Sequence, residues 1–157
     1  MRDRLYRLAL RLIGEQTEAE DVVQETMIKI WEDRDKLARI NNLEGWCTRL
    51  VRNLGIDRLR VKQRRPSLDI EKAFHLTDDR PDVHRQVETK ESMAEIERLL
   101  LSMPEQRRLV IHLREIEGLS YKEIASQLDI SLDQVRTDIH RGRLYLRKAL
   151  RKGQYHE

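Results

Sequence analysis

The sequence predicts an all-α protein built from two small helical domains joined by a linker, the C-terminal one containing a helix-turn-helix. Three observations lead there. Charged residues make up 38% of the 157-residue chain and aromatics only 4%, which supplies amphipathic helices rather than one large core. Helix starts recur as a Ser or Thr followed three residues later by Glu or Gln, at Thr17/Glu20, Ser92/Glu95, Ser120/Glu123 and Ser131/Gln134. Between two periodic stretches lies an aperiodic one, residues 66–91, containing Pro66, Pro81 and the polar run Thr77-Asp78-Asp79-Arg80. The length is too short for a barrel or a doubly wound sheet with additions.

The first helix is expected over residues 4–13, stopped by Gly14. After Thr17, Ala19, Val22, Val23, Met27, Ile30 and Trp31 recur at intervals of three and four, so a second helix should bury that face and end near Asp33. A third begins near Asn42 and offers Trp46, Leu50, Leu54 and Leu59 as its buried stripe. Gly55 within it costs about 1 kcal/mol relative to Ala and allows a bend. These helices form the first unit, residues 1–65. The linker 66–91 would span about 25–30 Å if flexible and about 80–90 Å if stretched. The second unit, 92–157, starts at Ser92 with Met93, Ile96, Leu99 and Leu100, then restarts at Pro104 with Leu109, Val110, Leu113 and Ile116 before Gly118.

The net charge of +3 is modest, but its distribution is not uniform. Residues 15–35 carry eight acids against Lys29 and Arg34, whereas residues 49–65 carry seven bases against Asp57. Residues 136–152 hold seven more bases against Asp138. Two basic segments therefore flank an acidic middle. Cys47 is the one cysteine, there is no apolar run of bilayer length, and no basic-then-apolar leader opens the chain. A reducing cytoplasm is the expected compartment.

Residues 120–146 read SYKEIASQLDISLDQVRTDIHRGRLYL. Ile124, Ala125 and Leu128 line one face of a short helix, Ile130 sits in a tight turn, and Val135, Ile139, Gly142 and Leu146 line a second helix capped by Ser131. The small Ala125 and Gly142 permit close helix crossing. The outer face of the second helix carries Asp133, Thr137, His140, Arg141 and Leu144, flanked by Arg136 and Arg143. Such a face fits a major groove, where Arg donates to guanine edges or phosphates. Asp138 is awkward there, and either points sideways or selects against certain partners. DNA binding without enzymatic chemistry is the expected activity, and no cofactor is implied.

The run AEDVVQETMIKIW (19–31), then GWCTRLVRNLGIDRLRVKQRR (45–65), then the helix-turn-helix, together resemble the extracytoplasmic-function sigma factors of bacterial RNA polymerase. The resemblance implies that the first unit is region two and the last region four, which bind core polymerase and direct promoter-specific initiation. Asp21, Gln24 and Glu25 match positions with which the family grips the clamp helices of the largest polymerase subunit. The flap of the second subunit is the implied partner of region four. The third helix matches the part that opens and reads the promoter element nearest the start: Arg49, Arg52, Arg58, Arg60 and Lys62 would follow phosphates, and Asn53 would offer a donor and an acceptor to a base edge. The preceding loop, 37–43, would help capture a flipped base. Arg136, Thr137, His140 and Arg141, with Arg143 beside them, would read the upstream element. An anti-sigma factor is a further implied partner. The acidic linker fits polymerase channels or serves as plain spacer.

Two other readings compete. A stand-alone helix-turn-helix regulator would need a dimer seam or apolar ligand pocket, and nothing in the sequence resembles either. A metal-dependent hydrolase on His75, Asp78, Asp79 and His84 would place its ligands on a loop without helical spacing. Cys47, with no second thiol and no base beside it, reads as core, as does Trp46 on the apolar stripe.

Overall fold

In a computed structural model, residues 1–64 and 85–154 are described. They form helices only: α1 (Arg2–Ile13), α2 (Gln16–Glu32), α3 (Arg34–Leu37), α4 (Leu43–Arg64), α5 (Arg85–Leu101), α6 (Glu105–Ile111), α7 (Tyr121–Leu128) and α8 (Leu132–Gln154). A single π-helical turn, His112–Ile116, extends α6.

Helix α1 buries Leu5, Leu8 and Leu12, spaced for one helical face. It ends at Gly14, whose φ of 78° is left-handed and whose N–H bonds to Leu10 O at 2.8 Å. The N-cap of α2 is Glu15 rather than the expected Thr17: its carboxylate accepts from the N–H groups of Thr17 (3.1 Å) and Glu18 (2.9 Å). Helix α2 buries Ala19, Val22, Val23 and Thr26, whereas Met27 and Trp31, expected in the core, are 37% and 69% exposed. Arg34 stacks on the exposed Trp31 ring, 4.4 Å from its centroid.

Asn42 caps α4 by accepting from Gly45 N–H at 2.9 Å. The face α4 buries fully is Cys47, Thr48, Val51 and Gly55; Trp46, Leu54 and Leu59 pack beside the core only partly buried. Hydrophobicity alone selected the bulky stripe, but α1 and α4 cross where the residues are small. A Cβ on Gly55 would collide with Leu12 Cδ2, so Gly55 permits helix contact rather than a bend.

Helix α5 begins at Arg85 and runs straight through Ser92, which is therefore no cap, and Met93 is exposed. Leu100 and Met103 join Ile111 in a small satellite core. The π-helical turn after α6 leaves Ile116 59% exposed instead of buried, because its extra residue per turn rotates the stripe away. Ser120 and Glu123 make a complete reciprocal cap on α7. Asp129 takes the left-handed position after α7 (φ 54°), and Ser131 accepts from Gln134 N–H to start α8. A Cβ on Gly142 would lie 2.7 Å from Ile111 side-chain atoms, so the glycine sets the α6–α8 approach.

The two expected units do not stand apart. Leu5, Leu8, Leu12, Val22 and Val51 of the first belong to the same apolar cluster as Leu109, Leu113, Ile124, Leu128, Val135 and Ile139 of the second. The linker positions between them, including His75, Asp78, Asp79 and His84, lie outside the described residues.

Candidate nucleic-acid interface

Three charged surfaces emerge, and only part of their chemistry follows the sequence expectation. On α2, Asp21 and Gln24 are exposed and Glu25 is half-buried. Arg58 reaches across from α4 into this acidic face, 2.7 Å from Glu18, 3.7 Å from Asp21 and 3.5 Å from Glu25. Its hydrogen bond to Glu18, with Asp21 and Glu25 close by, holds the guanidinium above its ordinary pKa. Expected among the phosphate-following bases, Arg58 instead neutralises the carboxylates assigned to a protein partner.

On α4, Asn53, Arg60 and Lys62 are exposed, and Arg52 Nε lies 3.4 Å from Asn53 Oδ1. Arg49 and Arg52 face the C-terminal end of α7. Arg49 Nη1 donates to Ser126 O (3.2 Å) and Gln127 O (3.1 Å), and Arg52 Nη1 donates to Leu128 O (2.8 Å). Those carbonyls close a helix, where intrahelical donors run out and the dipole is negative. Burial lowers the Arg52 pKa, with Arg49 beside it acting in the same direction and Asp129 opposing.

Gln127 completes this contact. It is 6% exposed, and its Oε1 accepts from Arg4 Nη2 at 2.8 Å and Thr48 Oγ1 at 3.1 Å. Nearby, Arg4 and Arg7 pair with Glu117 at 3.7 and 3.5 Å. Arg108, 5% exposed, donates to Leu12 O at the end of α1 and to Leu100, Leu101 and Met103 carbonyls. Arg4, Thr48, Arg108 and Gln127 tie the two halves of the chain together, and sequence reasoning missed them. Nothing in spacing or composition separates Arg108 from its neighbour Arg107, since only the fold decides which of the two points inward.

On α8, Arg136, His140 and Arg141 are exposed and Thr137 is half-buried, opposite the buried Val135, Ile139 and Gly142. Arg136 also pairs with Asp133 at 3.2 Å. Arg143 turns back onto the π-helical turn, 2.5 Å from Glu115, whose hydrogen bond raises its pKa. Asp138 does point aside: it is 5% exposed and accepts from Gln106 Nε2 (2.9 Å) and Gln134 Nε2 (3.1 Å), with Arg107 3.9 Å away. Its carboxylate sets the seat of α8 on α6 and leaves the outer face basic.

Among the described residues, no helix is long and apolar enough to cross a membrane and no grouping of His, Cys, Asp or Glu could hold a metal ion.

Residues 1–65 match the sigma-70 region 2 family and residues 93–146 the sigma-70 region 4 family. The chain is 37% identical over 151 residues to the ECF RNA polymerase sigma factor SigE of Mycolicibacterium smegmatis, covering 96% of itself and 58% of that relative's length. To the ECF RNA polymerase sigma factor SigW of Bacillus subtilis it is 35% identical over 158 residues, covering 96% of itself and 84% of SigW. In fold it is similar to the sigma factor RpoE of Bartonella quintana, solved with the anti-sigma factor NepR (TM-score 0.71, 22% identity, 96% of this chain and 91% of that one). It is also similar to CnrH, solved with the cytosolic domain of CnrY (TM-score 0.65, 23% identity, 94% and 80% covered).

Proposed function

The chain belongs to the extracytoplasmic-function sigma factors of the sigma-70 family, and on that premise we propose that it binds core RNA polymerase and directs promoter-specific transcription initiation in the cytoplasm. Residues 1–65 serve as region two and 92–157 as region four, with the segment between them connecting the two and its last residues, 85–91, already part of α5. The reading rests foremost on α8: Arg136, His140 and Arg141 stand exposed on one face while Val135, Ile139 and Gly142 anchor the other, the arrangement a helix needs to enter a major groove.

Asp21, Gln24 and Glu25 supply the surface for the clamp helices, with Arg58 supporting that surface rather than DNA. Asn53, Arg60 and Lys62 face the melted promoter with Arg49 and Arg52, and Arg136, Thr137, His140 and Arg141 read the upstream element. Arg143, tied to Glu115, braces the recognition helix. The flap of the second polymerase subunit takes region four, and an anti-sigma factor covers the same surfaces when the protein is held inactive.

The test is run-off transcription with bacterial core polymerase on genomic fragments of the source organism, with and without the protein. New starts sharing two spaced elements are expected; their absence with folded protein refutes the reading. Arg141→Ala is expected to weaken use of the upstream element by about 1–3 kcal/mol. An equal loss on promoters lacking that element would remove Arg141 from base reading.

A further inference from the structure

Helix α8 is longer than its reading residues require. Its 23 residues run unbroken from Leu132 to Gln154, about 34 Å at 1.5 Å per residue. Arg136, Thr137, His140 and Arg141 occupy only the first half. Eleven residues further on, in the same spacing, stand Arg147, Lys148, Arg151 and Lys152. Eleven residues make three helical turns to within about 20°, so the second set continues the outer face of the first, displaced about 16 Å along the axis. All four are exposed, and among the described residues the ion pairs of α8 end at Arg143.

No acid follows Asp138 within α8, so Arg147 with Arg151, and Lys148 with Lys152, meet as like charges four residues apart, which disfavours the helix. The negative helix end favours cations in its last turn, which accounts for Arg151 and Lys152 but not for Arg147 and Lys148. The two sets also differ in chemistry. The first mixes Arg with Thr and His, groups able to read base edges, whereas the second holds cations only, the composition that suits phosphate. The distance agrees: the major groove is about 12 Å wide, so with the first set among base edges the second stands past the groove wall, against the sugar-phosphate backbone. We propose that Arg147, Lys148, Arg151 and Lys152 form a second DNA site on α8, which grips the phosphates bordering the upstream element irrespective of sequence. This rests on the reading of α8 as the helix that enters the major groove. The first half of α8 then sets which element is used, and the second half how tightly and how salt-dependently it is held.

The test uses the full chain bound to core polymerase, on a promoter fragment found by run-off transcription, with binding followed across salt concentrations. Arg147→Gln, Lys148→Gln, Arg151→Gln and Lys152→Gln are combined, which removes the charge and keeps helix propensity. The variant is expected to bind about tenfold or more weakly near ~0.1 M salt, by the same factor on intact and base-substituted elements, with a salt slope shallower by up to about 3.6, roughly 0.9 for each lost contact. Arg147→Lys with Arg151→Lys should bind as the parent does, because a phosphate contact carries no demand beyond charge. Uncharged methylphosphonate linkages flanking the element should weaken the parent and leave the Gln variant unaffected.

An unchanged salt slope for the Gln variant, or parent binding indifferent to the methylphosphonates, overturns the inference. So does a loss that differs between base-substituted elements, which would make the second set base readers. A loss that persists in full on the methylphosphonate duplex overturns it too, and would give this face an acidic protein partner. Arg141→Ala separates the two layers. If it removes discrimination at the element while the Gln variant binds like the parent, α8 reads DNA and only the second site falls. If it leaves discrimination intact, the groove-reading premise falls and the inference with it.

Discussion

Replacing Arg108 by Met tests whether a buried guanidinium, without a carboxylate partner, ties the two halves of this protein together. Met keeps much of the apolar stem and removes every donor. Arg108 Nε donates to Leu100 O and Nη2 to Leu101 O and Met103 O, each at 2.9 Å, while Nη1 donates to Leu12 O. Leu12 closes α1, and the other three carbonyls lie at or just past the end of α5, so the planar fork satisfies helix ends from both halves. Burial lowers the Arg108 pKa, which means that the charge itself is held at a cost.

Against that cost stand four charge-assisted hydrogen bonds, and each acceptor left without its donor costs about 1 kcal/mol or more. The net loss is about 3–5 kcal/mol, from four carbonyl acceptors left without a donor less the relieved cost of burying the charge. For a chain of this size that is a fall of roughly 10–15 °C in Tm. Thermal and urea unfolding followed by far-UV circular dichroism provide the measurement. Arg108→Lys should fall in between, since an ammonium has three donors and no fork. A loss below about 1 kcal/mol for the Met variant, or a Lys variant as stable as the parent, would refute the reasoning.

Asp138→Lys should cost about 3 kcal/mol or more, because it sets a buried cation beside Arg107 and strips Gln106 and Gln134 of their acceptor; a variant that is stable and binds upstream DNA more tightly would show that position 138 faces the groove. Neutralising Asp21 and Glu25 together (Asp21→Asn, Glu25→Gln) should sharply lower co-purification with core polymerase while leaving the helical circular dichroism intact, since Glu18 still holds Arg58 at 2.7 Å; undiminished co-purification would dismiss that surface. Acid should also act through His112, which is 2% exposed and whose pKa is lowered to about 4 by burial and by Arg11, with Glu117 opposing and Arg7 adding to the decrease. The unfolded chain binds that proton near pH 6.5 and the folded one does not until about 4, so stability falls as pH drops through this window, by about 3 kcal/mol. His112→Gln should flatten that part of the profile in urea titrations at stepped pH, and an unchanged slope would count against it.

The helix-turn-helix was legible because its signals are local. Ser120 and Glu123 lie within one turn of each other, Gly142 reports a close crossing, and the Val135–Ile139 spacing marks the buried side of α8 by period alone. The basic face followed by subtraction. The same reasoning failed where a local signal had a local rival: Glu15 reached the α2 N–H groups that Thr17 could have capped, and Ser92 became one more residue of a longer helix. It failed on α4 because bulk was taken as burial, although the crossing with α1 selects Cys47, Thr48, Val51 and Gly55.

Sequence by itself determined the helical class and which segments carry which sign of charge, because these depend on periodicity and composition over a few turns, but it put residues 85–91 in a linker where α5 already runs. Tertiary structure alone decided which charges are available. Arg49, Arg52, Arg58 and Arg60 are chemically alike along α4, yet the first two meet the end of α7, Arg58 meets three carboxylates of α2, and Arg60 meets solvent. Asp138 looked like an intruder in a DNA-reading face and is instead the buried seat of that face. A long side chain goes to the partner that compensates its desolvation, and those partners stand tens of residues away, where no pattern along the chain records them.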